Sequence, residues 1–130
     1  MKFKLESQFQ TEFSHWLEKN PPEGTEAHEL KLVRAGNFPI RQWIEKSPHQ
    51  TRGLMQAKHG GCYHKISDMS RELKPFDSFY IRNAGAFLVV YFNEFERFIK
   101  LDVETAISLT KKQKTASFSE LEKIGVSCSL

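Results

Sequence analysis

"AFLVVYF", residues 86–92, is the longest strongly apolar run in the chain and the point from which its fold can be read. A strand that is apolar at every position has no solvent face, so it belongs in the middle of a sheet covered on both sides. Upstream of it, "AHELKLVRAG" (27–36) is a second strand candidate of a different kind, because Glu29 and Lys31 flank Leu30. In an extended chain, residues two apart project to the same face, roughly 6–7 Å from one another. Glu29 and Lys31 therefore share one face, and Leu30 and Leu32 share the other.

The remaining elements follow from pattern and punctuation. Phe3, Leu5, Phe9, Phe13, Trp16 and Leu17 recur close to helical spacing and predict a first amphipathic helix over 3–18, stopped by "NPPEG". A short element is expected in "IRQWIEK", between Pro39 and Pro48, and a helix from Pro48 to about Lys58, with proline at its start and Gly60-Gly61 at its end. "CYHKISD", "FDSFYIR" and "RFIKLDV" read as further strands. "NAG" reads as a hairpin-type turn, and "ETAISLTKK" as the start of a short helix. In the tail, Ser117 and Glu120 stand at capping-box spacing, and a basic stretch runs from about residue 110 through "TKKQK". The expected product is a single α/β domain over residues 1–130, with a mixed sheet of about five strands flanked by helices.

Composition narrows the functional classes. The net charge is +3, from 19 Lys and Arg against 16 Asp and Glu, which is compatible with a polyanionic partner. Two distant cysteines, Cys62 and Cys128, form no metal or redox motif, so free thiols in a reducing cytoplasm are expected. There is no membrane-length apolar run and no signal-peptide pattern, so a soluble intracellular protein is expected. The five histidines form no zinc-binding pattern, and "HGGC" lacks the lysine of a phosphate-binding loop, so no nucleotide cofactor is expected.

Asp77, after Pro75-Phe76 at the mouth of a strand, is the acid that gives Glu29 and Lys31 chemical meaning. Two carboxylates form an oxygen-rich site for Mg²⁺ or Mn²⁺, and a nearby lysine stabilises charge developing on a phosphate. The bland alternative is a surface ion pair on an edge strand with Asp77 as a turn residue.

Taken with the segment "ELKLVRAGNFPIRQWIEKSPHQTRGLMQAK", which holds Glu29, Lys31, His49-Gln50 and Leu54 in order, the chain resembles the PD-(D/E)XK nuclease superfamily. The likeness is to its Holliday-junction-resolvase and phage-nuclease branches. "YHKISDMSRELKPFD" also resembles phage nucleases, and the likeness spans roughly residues 25–103.

The resemblance implies a restriction-endonuclease-like fold and a Mg²⁺- or Mn²⁺-dependent endonuclease acting on DNA, in particular branched DNA, as a homodimer of phage or mobile-element origin. It implies Asp77 and Glu29 as metal ligands, Lys31 as the assisting cation and Gln50 as a supporting group. An acid from the first helix, Glu6 or Glu12, would join them. Lys65, Arg34, Arg52 and Lys58 are candidates for holding the DNA backbone, with Lys65 foremost because it shares a strand face with Tyr63. One departure stands out: the Pro-x-Asp strand follows the Glu-x-Lys strand, whereas the family has the reverse order. Either the sheet is rewired so that Asp77 meets Glu29 and Lys31, or the site has decayed and the protein only binds nucleic acid.

Overall fold

Two apolar faces of one sheet organise the chain, and a computed structural model describes residues 4–66 and 73–130 of it. The order of elements is α1 (Glu6–Lys19), β1 (Glu26–Val33), β2 (Asn37–Phe38), α2 (Ile40–Lys46), α3 (Pro48–His59), β3 (Gly61–Lys65), β4 (Ser78–Arg82), β5 (Gly85–Phe92), β6 (Arg97–Asp102), α4 (Val103–Lys112), β7 (Ala116–Ser117), α5 (Phe118–Ile124) and β8 (Val126–Cys128). The main sheet has the order β1-β5-β6-β8, with β1 parallel to β5 and the other pairs antiparallel. It is a mixed sheet flanked by helices, an α/β architecture.

The run that reads as central is central. On β5, Ala86, Leu88, Val90 and Phe92 enter one core with Ile99, Leu101, Trp43, Leu54 and Leu121, beneath α2, α3, α4 and α5. The alternate residues Val89 and Tyr91 enter a second core with Phe98 and the α1 residues Phe9 and Phe13. Burial on both faces explains why this strand has no polar alternation.

The five expected strands do not all lie in this sheet. β3 and β4 pair antiparallel with each other as a separate two-stranded arm, and β8 fills the fourth place in the main sheet instead. The arm strands alternate with polar residues on both faces, which suits a hairpin with little cover. "NAG" is accordingly a corner between two sheets, where Asn83 takes φ 55°, a left-handed conformation that asparagine tolerates better than most residues. The segment 67–72, including Ser67 and Asp68 of the "KISD" stretch, lies outside the described residues.

The expected basic tail is also built into the fold. Lys111 and Lys112 close α4, and the chain continues through β7 and α5 to β8. The capping box forms as the spacing predicts: the Ser117 hydroxyl accepts from the Glu120 amide at 3.1 Å, and the Glu120 carboxylate accepts from the Ser117 amide at 3.0 Å.

Asp102 caps α4 by accepting from the amides of Glu104 at 3.0 Å and Thr105 at 3.3 Å, and it also pairs with Lys58 at 2.8 Å. Asp102→Ala is expected to lower the unfolding free energy by about 1–2 kcal/mol. Asp102→Asn keeps an acceptor for the amides and is expected to cost less than about 1 kcal/mol. Urea denaturation of the two variants separates cap from charge, and equal losses would assign the effect to the ion pair.

Candidate functional site

Glu29 and Lys31 do project from the same face of β1, and their charged ends meet at 3.2 Å with both side chains partly exposed. Ala27 and Val33, of the same parity, pack into the larger core on the α3 side, so the pair lies on that side of the sheet. Leu30 and Leu32 turn to the α1 side, as the alternation requires.

Asp77 is not joined to them. It immediately precedes β4 on the arm, its side chain is 91% exposed, and it pairs with Lys74 at 3.1 Å. Among the described residues, no ion pair or hydrogen bond links it to Glu29 or Lys31, and no three of His, Cys, Asp or Glu group to hold a metal ion. The two acids that the resemblance assigns to Mg²⁺ or Mn²⁺ thus sit apart within one chain, Glu29 on β1 of the main sheet and Asp77 just before β4 of the arm.

The supporting residues disperse as well. Gln50 accepts a hydrogen bond from the Trp43 indole at 2.7 Å and ties α3 to α2. Glu6 and Glu12 are exposed on α1, which covers the opposite face of the sheet from Glu29 and Lys31, and Glu12 pairs with Lys4. Lys58 bridges Asp102 and Glu104, whose hydrogen bonds hold its ammonium above the ordinary lysine pKa, so it is committed to the α3–α4 junction. Arg34 follows β1 and Arg52 lies on α3, both exposed.

Lys65 is different. The β3–β4 register sets Tyr63 opposite Tyr80, Lys65 opposite Ser78 and Gly61 opposite Arg82, so these six residues share one face of the arm. Tyr63 and Tyr80 are each 64% exposed, and Lys65 and Arg82 are exposed beside them. Tyr80 leans across the strand into the space that a Cβ on Gly61 would fill, so the glycine sets the ring's position. The other face carries His64 stacked on Phe79 at 5.2 Å, with Phe76 edge-on to Phe79 at 6.5 Å. The arm is rooted by the Ala84 amide donating to the Ala57 carbonyl at 2.9 Å. Tyr80 and Arg82 escape a reading of the sequence by motif. The signal for them was the two-residue period of "SFYIR" together with the pairing register, which the sequence does not state.

A second polar cluster unseen in the sequence lies on the α1 side of β1. Glu26 bonds Lys100 at 2.6 Å and His28 at 2.9 Å, and the His28 ring contacts Phe13 at 5.1 Å. Burial pushes the His28 pKa down, and Glu26 only partly offsets it. Burial works to raise that of Glu26, but Lys100 and His28 hold it below the ordinary carboxylate value. Both groups bind protons less readily in the folded chain than in the unfolded one, so acid favours unfolding. Stability is expected to be fully present above the unfolded histidine pKa, to fall as the pH drops below it, and to fall further through the carboxylate range. Urea midpoints measured from pH 8 to pH 4 check this. His28→Phe should flatten the upper part of the curve, and an unchanged curve would refute the assignment.

Comparison of the chain with known protein families, with characterised proteins and with solved structures finds no match. No helix among the described residues is long and apolar enough to cross a membrane. Cys62 and Cys128 are both free.

Proposed function

We propose that the chain is a DNA-binding protein on a nuclease-like scaffold, with the β3–β4 arm as its contact surface. The observation that carries this reading is the arm's exposed face, where Tyr63 and Tyr80 stand together between Lys65 and Arg82. Aromatic rings beside cations suit nucleic acid in which bases are unstacked, because the rings stack on bases while the cations neutralise phosphates. Branched DNA, which the sequence resemblance suggests, exposes such bases at its branch point. An intracellular setting, in a host that carries a phage or mobile element, goes with the same reading.

Metal-dependent cleavage is the second reading, and the 3.2 Å Glu29–Lys31 pair on one strand face favours it. Mg²⁺ or Mn²⁺ would be held by Glu29 together with a substrate phosphate, and a bound ion supplies a Lewis acid and an activated water. Lys31 would then lie beside the phosphate as a fixed positive charge. Asp77, on the arm, is outside that half-site as a single chain presents it.

One experiment tests both readings. The protein is incubated with a four-way junction, linear duplex and single-stranded DNA in Mg²⁺, Mn²⁺ or EDTA, and retardation and cleavage are scored together. Retardation without cutting, lost in a Tyr63→Ala/Tyr80→Ala variant, is the expected result. Metal-dependent cutting that Glu29→Gln and Lys31→Ala abolish would establish the nuclease at that half-site. Neither retardation nor cutting would overturn both.

A further inference from the structure

One edge of β1 is left without a strand among the described residues. Among the described residues, β1 has β5 as its sole strand neighbour, and all eight of its residues are partly exposed. The Gly85 amide donates to the Thr25 carbonyl and the Asn93 amide to the Val33 carbonyl, each at 2.9 Å. Along a strand, alternate residues turn their backbone groups to opposite edges. Odd-numbered residues between Thr25 and Val33 therefore spend theirs on β5, while His28, Leu30 and Leu32 turn theirs outward. An eight-residue open edge of this kind is a template for another strand.

We propose that a second copy of this chain occupies it, with the two β1 strands antiparallel about a two-fold axis at Leu30. That register faces Leu30 with Leu30 and His28 with Leu32 as the hydrogen-bonded pairs. It sets Glu29 against Lys31 and Ala27 against Val33 as the close, non-hydrogen-bonded pairs, with Cα atoms about 4.5 Å apart. Glu26 falls opposite Arg34, the residue after the strand.

Charge selects this register. The neighbouring registers that still match outward residue with outward residue put Glu29 against Glu29 or Lys31 against Lys31. The half-exposed leucines on the α1 side, packed at the margin of the smaller core, merge across the axis into one stripe. Two four-stranded sheets join into one continuous sheet of eight.

The test is sedimentation of the full chain over a range of concentrations, with Glu29→Lys, Lys31→Glu, their equimolar mixture and the double exchange Glu29→Lys/Lys31→Glu. The wild type is expected to form a dimer. Each single variant turns two attractive cross-strand pairs into two repulsive ones and should weaken the dimer about tenfold or more. The mixture should form a heterodimer, and the double exchange should regain the wild-type dimer, since both restore opposite charges across the axis. A monomeric wild type, single variants that dimerise as well as the wild type, or a mixture and double exchange that fail to recover would each overturn the proposal. The arm is not involved, so DNA retardation by Tyr63 and Tyr80 stands or falls separately.

Discussion

Phe98→Ala is expected to lower the unfolding free energy by about 3–5 kcal/mol, with the loss read from the urea midpoint at constant slope. Phe98 is fully buried on the α1 side of β6. Its ring meets Phe13 edge-on at 5.5 Å and 89°, and Trp16 edge-on at 5.0 Å and 82°, with Phe9 at 6.5 Å. The alanine variant leaves an empty space ringed by three aromatic side chains of one helix, which a 14-residue helix cannot close without tilting off the sheet. For a domain whose whole stability is on the order of 5–15 kcal/mol, that is a large fraction. Phe76→Ala provides the contrast. It lies on the arm at 53% exposure, and its loss should stay within about 1 kcal/mol. Comparable losses at the two positions would mean that α1 is not the lid of a tightly packed second core.

The contrast between these two phenylalanines shows what the sequence makes legible. β5 is readable because a strand covered on both faces must be apolar throughout, and α1 because Phe9 and Phe13 mark its buried stripe. The α3 start at Pro48, the Ser117–Glu120 box and the shared face of Glu29 and Lys31 are local features, and local chemistry determines them. Which strands pair is not local. "CYHK" and "SFYIR" have the same alternation whether they join a main sheet or only each other, and β8, three residues long, carries too little pattern to announce itself. The candidate site fails to be legible for the same reason. Asp77 has the right chemistry and flanking residues, but its position depends on where the arm goes. Gln50 and Lys58 are polar groups whose partners, Trp43 and Asp102, are defined only by helix packing.

Alanine at Tyr63 or Tyr80 is expected to weaken binding of junction or single-stranded DNA by about 5- to 150-fold each, since stacking of one base on an aromatic ring contributes about 1–3 kcal/mol. Fluorescence polarisation with labelled oligonucleotides reads this directly. Stability should hardly change, because both rings are 64% exposed and neither belongs to a core cluster. The two tyrosines face each other across the β3–β4 ladder, so their losses should not simply add if one base is held between them. Lys65→Ala and Arg82→Ala act through phosphate instead. Each should weaken all sequences about equally and reduce the dependence of log affinity on log salt by about one unit per contact. The two signatures differ in kind: tyrosine loss lowers affinity at every salt concentration, whereas loss of a cation matters most at low salt. If all four substitutions leave affinity unchanged, DNA does not bind this arm. If the cations alone matter, the arm tracks a backbone, and the preference for unstacked bases is wrong.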